Sequence, residues 1–236
     1  MHTKNIHAHL DEIKDCFQTA VSVDCVIFGF DNTALKVLLI ESDLKEYKGS
    51  WSLLGNIMRP DEDLDEAAYR VLRERTGLED VYMEQIQTFG ALKRHPAGRV
   101  ITVAYYSLVN IEHVALKKHN NELHWHTVKD IQHMAFDHKQ ILDTCYERLK
   151  RQLIEQPIGF NLLPGKFTIR DLQNLYEAIL DVKLDRRNFR KKFLSLNVLE
   201  DLNEAQEAVS HRPAKLYKFN FEKHELQKKR FLGIGF

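Results

Sequence analysis

Residues 69–78, YRVLRERTGL, form the end of a helix whose residue types come close to those that bind a metal. The stretch DEDLDEAAYRVLRERTG places Leu64, Ala67, Ala68, Val71 and Leu72 at helical spacing, and Gly77 supplies a C-terminal stop. Positions 71, 74 and 75 are spaced i, i+3 and i+4, so they share one helical face. Three carboxylates there would suit a hard divalent cation, which needs oxygen ligands. The residues present are Val71, Glu74 and Arg75, so this face carries one carboxylate. Arg75 puts a positive charge on the same face, which would repel such an ion. At about 4 Å and an effective dielectric near 20, repulsion from a divalent ion is roughly 8 kcal/mol before the side chain swings aside. Metal-dependent catalysis is not expected from this helix. The blander alternative is that Glu62, Arg70 and Glu74 are ordinary surface charges on an amphipathic helix.

The elements around this helix are strands. SVDCVIFGF (22–30), LKVLLIES (35–42), VYMEQIQTFG (81–90) and VITVAYYSLV (100–109) are rich in Val, Ile, Tyr and Phe and are separated by turn residues. A second long helix is predicted over 137–153, with Asp137 as its N-cap. IEQPIGFNLLPG (154–165) holds two prolines and two glycines and reads as a linker.

Beyond it the periodicity turns helical. FTIRDLQNLYEAIL opens on Thr168 as N-cap and lines up Ile169, Leu172, Leu175, Tyr176, Ile179 and Leu180. After the turn DVKL comes DRRNFRKKFLSL, capped by Asp185, with Phe189, Phe193 and Leu196 inward. Two amphipathic helices across a short turn form a helix-turn-helix pattern. Strand-like pieces around NVLED and KLYKFNF flank the polar stretch NEAQEAVSHRPA, which reads as a wing.

The 236 residues carry no net charge, yet from Lys166 onward there are fifteen Lys and Arg against ten Asp and Glu. A basic C-terminal third is suited to meeting an anion. No apolar run approaches the roughly 18 residues that span a bilayer, and the mixed-charge N-terminus is unlike a secretory signal. Three widely spaced cysteines, Cys16, Cys25 and Cys145, suit reduced thiols and a cytoplasmic location. In HWHT (124–127), His124 and His126 share a strand face, but no third metal ligand is evident and none is expected.

The helix and its setting resemble the Nudix box, G-x5-E-x7-R-E-U-x-E-E-x-G-U, with U a bulky aliphatic residue. Anchored on Gly77-Leu78, Glu62, Arg70, Leu72 and Glu74 match, whereas Asn56, Val71 and Arg75 depart from it. The remnant is thus Glu62, Arg70, Glu74 and Gly77. RHPAGRVITVAYYSLV, FDHKQIL, LPGKFTIRDLQNLYEAIL and DRRNFRKKFLSL further resemble the Nudix-related transcriptional regulators of the NrtR type. That resemblance implies an α+β chain: a Nudix-type α/β/α sandwich with a mixed sheet, then a small winged helix-turn-helix. It divides the chain into an effector-sensing domain (1–154), a linker (155–165) and a DNA-binding domain (166–236). It also implies a homodimer on a palindromic operator.

Under this reading the chain is no enzyme and holds no cofactor. DNA contacts are expected from Arg186, Arg187, Asn188, Arg190 and Lys191 on the second helix, and from Arg212 and Lys215 on the wing. Arginine suits guanine and phosphate, and asparagine suits adenine. A solvated basic face is the alternative. For the effector, Asn56, Arg94 and Arg99 are expected to meet either an ADP-ribose-type metabolite or a sugar such as a pentose. Surface salt bridges are the alternative role for the two arginines. The competing function is a Nudix hydrolase of nucleoside diphosphate derivatives such as ADP-ribose.

Overall fold

A computed structural model describes residues 19–79, 81–114, 116, 123–155, 159–207 and 213–227. Its centre is β1 (Ala20–Phe30), buried from Ser22 to its end. This strand runs parallel to β6 (Val100–Asn110) over its full length. Its other edge is shared: β4 (Leu54–Ile57) pairs antiparallel with its start and β2 (Leu35–Glu41) with its end. β5 (Met83–Phe89) extends the sheet beyond β6, and β3 (Trp51–Ser52) and β7 (Leu123–Thr127) both pair with β2. The short β3 and β4 and the strand through HWHT complete a seven-stranded mixed sheet.

Alternation along β1 sorts the two faces. Val23, Cys25 and Ile27 face α1 (Leu64–Thr76) and pack with Ala67, Ala68, Val71 and Leu72. Val26, Phe28 and Phe30 face α2 (His138–Glu155) and pack with Ile141, Leu142, Cys145, Leu149 and Leu153. Cys25 and Cys145 are buried free thiols. Burial pushes the Cys145 thiol up to about 12, so it is a packing residue rather than a nucleophile.

The α1 ends are built as the residues demand. Asp63 and Glu66 form a reciprocal capping box, and Gly77 closes the helix at φ 78° in the left-handed region. In the C-terminal part, α3 (Ile169–Leu180) starts with a second capping box, Thr168 with Asp171. Asp185 caps α4 (Arg186–Ser195) by accepting from the Asn188 backbone N–H. β8 (Leu199–Ala205) and β9 (Lys215–Phe219) form the two-stranded wing sheet, and α5 (Phe221–Gln227) follows.

Within the segment expected to be a linker, residues 159–163 pack into the core. Gly159–Leu162 forms a 3-10 turn, and Phe160, Leu162 and Leu163 are buried. Three apolar side chains outweigh the turn-forming residues around them. Gly159 is needed for a close approach: a Cβ there would lie 2.9 Å from Leu153 and 3.0 Å from Leu175. The same apolar cluster continues from β1 and α2 through this turn into α3, α4 and the wing sheet. Tyr146 of α2 donates from its hydroxyl to the Ile179 carbonyl of α3 at 2.7 Å, and Lys129 pairs with Asp181.

One cluster spanning both halves predicts one unfolding event. Leu149→Ala should cost about 2–5 kcal/mol. Fluorescence of Trp51 and Trp125, both in the N-terminal half, should lose its melting midpoint in step with the far-UV helix signal. Two separated transitions would show that the halves are independent.

Candidate functional site

A cavity of about 620 Å³ opens beside the start of β1, a volume typical of a small-molecule site. Its walls come from β1, β3 and β4, the 41–48 loop, the loop before β6, the end of α1 and the start of α2. They include Asp24, Glu41, Asp43, Lys48, Asn56, Arg75, Arg94, His95, Phe136 and His138.

The floor is a buried polar cluster seeded by Asp24, an acidic residue inside an otherwise apolar strand. A carboxylate in that place must be partnered, because burial without partners costs several kcal/mol. Thr102 donates its hydroxyl to Asp24 Oδ2 at 2.7 Å, and Arg94 Nη2 lies 3.5 Å from the same oxygen. Arg94 also grips Asp137 in a two-point fork, Nε at 2.8 Å and Nη2 at 2.6 Å. His138 Nδ1 accepts the Leu53 backbone N–H at 3.0 Å, with the Ser52 hydroxyl at the same distance. With Nδ1 accepting that backbone N–H, the neutral ring carries its proton on Nε2, which faces Asp24 Oδ1 at 3.5 Å, and burial lowers the His138 pKa. β4 runs so close to this cluster that a Cβ on Gly55 would lie 2.1 Å from Asp24 Oδ1.

Phe136 forms the aromatic side of the cavity mouth. Its ring is stacked with His95 at 5.0 Å and 8° between planes, and touches Tyr47 at 4.5 Å and His138 at 4.9 Å. The Phe136 backbone is left-handed at φ 53°, a strained state for a bulky residue that aims this ring.

The Nudix-box remnant is a closed ion-pair network. Arg70 is buried and holds Glu62 through Nε at 2.6 Å and Nη2 at 2.5 Å, while its Nη1 reaches Glu74 at 3.2 Å. Arg59 takes the other oxygen of Glu74 at 3.2 Å, and the Arg59 backbone N–H donates to Glu62 at 2.7 Å. Val71 is turned into the core, not toward the exposed face shared by Glu74 and Arg75. Among the described residues, no group of three or more His, Cys, Asp or Glu is placed to hold a metal. His124 and His126 instead lie against the Trp51 ring. Of positions 71, 74 and 75 only Glu74 offers a carboxylate, and two guanidinium groups already hold it, so these three positions do not fit a divalent ion.

The three residues expected at the effector are separated by the structure. Asn56 lines the cavity, and its side-chain oxygen accepts the Ile57 backbone N–H at 2.8 Å. Arg94 reaches the cavity too, but as the buried clamp of Asp24 and Asp137. Arg99 does not line it: its Nη1 donates to the carbonyls of Gly90 at 2.6 Å and Ala91 at 3.2 Å, closing the 90–99 loop. Asp137 precedes α2, with its carboxylate given to Arg94. Sequence reading missed Asp24 and His138. A single carboxylate in a nine-residue apolar run was the available signal for the first.

In the C-terminal part, Arg186, Arg187, Asn188, Arg190 and Lys191 are all exposed on α4, and Phe189 and Phe193 are buried beneath them. Their rings pack edge-on against Tyr176 of α3, which fixes the helix pair. Lys215 is exposed and paired with Asp201 at 2.7 Å across the wing sheet. Arg212 lies outside the described residues.

Residues 18–148 match the NUDIX domain family, and residues 159–219 match the NrtR DNA-binding winged helix domain. The ADPR responsive transcriptional repressor NtrR of Acinetobacter baylyi is 32% identical over 217 residues, covering 90% of this chain and 86% of that protein. The crystal structure of Shewanella oneidensis NrtR with a 27mer DNA superposes with a TM-score of 0.76. It is 27% identical, over 87% of this chain and 95% of the other. The NUDIX domain of the same Shewanella protein, in complex with ADP ribose, is 30% identical and superposes with a TM-score of 0.50. That match covers 56% of this chain and 88% of the other.

The Arg70 hydrogen bonds hold the Glu62 carboxyl at about 2, below its ordinary 4.5. A depressed acid stabilises the fold above its unfolded value and loses that contribution as pH falls through the folded one. Urea midpoints should therefore drop between pH 4.5 and 2, and Glu62→Gln should flatten part of that slope. An unchanged slope would mean the pair carries no stability.

Proposed function

Because the chain belongs to the NrtR family of Nudix-related regulators, we propose that it is an operator-binding transcriptional repressor whose Nudix domain senses ADP-ribose or a close relative of it. One observation carries the reading: a basic helix, fully displayed, is built into the same apolar core as a ligand-sized cavity. Arg186, Arg187, Arg190 and Lys191 neutralise phosphates or read guanine, and Asn188 suits adenine. In a homodimer, two copies of α4 would meet two half-sites of a palindrome.

The cavity favours the nucleotide over a free pentose. A single pentose would leave most of about 620 Å³ to water. Asn56 already spends one lone pair of its side-chain oxygen on the Ile57 N–H, which weakens the feature that suited a polyol. Phe136 and His95 add an aromatic wall fit for a flat base. Hydrolysis is not part of the proposal, since Val71 is core and Glu74 is tied to Arg59 and Arg70.

Selection of bound duplexes from a random library, followed by fluorescence anisotropy, tests this. The enriched site should bind with affinity falling steeply with salt, and Arg187→Ala with Lys191→Ala should shallow that dependence by about one contact per residue. ADP-ribose should release the DNA, whereas arabinose should not. Salt-independent binding without sequence preference would remove the repressor reading. ADP-ribose cleavage with Mg²⁺ at ordinary hydrolase rates would restore the competing one.

A further inference from the structure

The arginine that spoils the metal site is also a wall of the cavity. Arg75 is exposed at the last turn of α1 and lines the space into which β4 and Asn56 also face. Lys48 lines the same cavity. Among the described residues neither cation makes an ion pair or a side-chain hydrogen bond, so both charges are available to a ligand. Their neighbours behave differently: Arg94 is consumed by Asp24 and Asp137, and Arg59 and Arg70 by Glu62 and Glu74. Glu41 and Asp43 also line the cavity, which leaves it mixed in charge rather than a plain basic patch.

We propose that Arg75 replaces the divalent cation, its guanidinium binding the effector's diphosphate directly, so that recognition needs no metal. This rests on the reading that the effector is a diphosphate-bridged nucleotide. In a metal-using site, carboxylates hold the ion and the ion bridges the phosphate oxygens. Here the carboxylate at position 75 is exchanged for a planar cation that can fork onto two phosphate oxygens itself. One residue change thus deletes a ligand and supplies one of the two positive charges a divalent ion would bring, with Lys48 on the same cavity wall. A simpler role, a cation complementing the C-terminal end of the helix dipole, is open to Arg73 equally. Arg73 does not line the cavity, and that difference makes it the control.

The test is calorimetric titration of the full chain with ADP-ribose and, separately, with inorganic pyrophosphate, each in EDTA and in Mg²⁺. Far-UV spectra and melting curves would verify that each variant is folded. ADP-ribose should bind in EDTA within about twofold of its affinity in Mg²⁺. Arg75→Glu should weaken it in EDTA by about 10- to 100-fold, as expected for losing a charge-assisted contact, while Arg73→Glu changes little and Arg75→Lys retains part. A strict Mg²⁺ requirement, or equal losses in Arg75→Glu and Arg73→Glu, would overturn the inference and leave the ADP-ribose sensor standing. Pyrophosphate bound through Arg75 without ADP-ribose binding would keep the inference and sink the sensor reading. Binding of neither ligand in EDTA would overturn it.

Discussion

The buried carboxylate of Asp24 is the constraint from which the sensing half is organised. A charge placed in the central strand cannot be left alone, and everything that partners it belongs to a different element: Thr102 from β6, Arg94 from the loop before β6, His138 from α2. Arg94 is in turn shared with Asp137, which fixes where α2 begins. The same carboxylate forbids any side chain at position 55. The cavity floor and the start of the long helix are therefore one hydrogen-bonded object. Such networks are costly when partly satisfied, so their members are held to a single arrangement.

The Nudix-type helix shows how a scaffold can be kept while two of the acidic positions of its motif are occupied by Val71 and Arg75. Arg70 and Glu62 still serve as an internal brace joining the helix to the loop in front of it. Val71 packs in the core, where a carboxylate would have had to be desolvated. Glu74 survives, but as a partner for Arg59 and Arg70. The geometry of the helix is preserved because bracing and packing demand it, independently of any ion.

Much of this was legible from residue pattern. The four main strands, the helix ending at Gly77, both capping residues Thr168 and Asp185, and the inner stripes of α3 and α4 follow from local chemistry and periodicity. Local rules failed where long-range partners decide. β3 and β4 are too short to show a period, and their pairing with β2 and β1 is what makes them strands. The PIGFNLLPG segment has turn residues in it, and tertiary burial of Phe160, Leu162 and Leu163 overrode them. Arg94 and Arg99 look alike in sequence, yet one meets two buried acids and the other two backbone carbonyls. The acids that decide Arg94 are far from it in the chain, where no local rule reaches.

The continuous apolar cluster from β1 through α2 and the Gly159 turn to α4 has a bearing on how such a molecule can be reused. A DNA-reading head joined to its sensor by a loose tether can be exchanged freely between proteins. Here the two halves were fitted to each other across a glycine with no room for a methyl group. Exchange would require a matched seam: Leu153, Gly159 and Leu175 would have to travel together. New specificities in this architecture should therefore arise by change on the exposed face of α4 or around the cavity mouth, and seldom by shuffling whole heads.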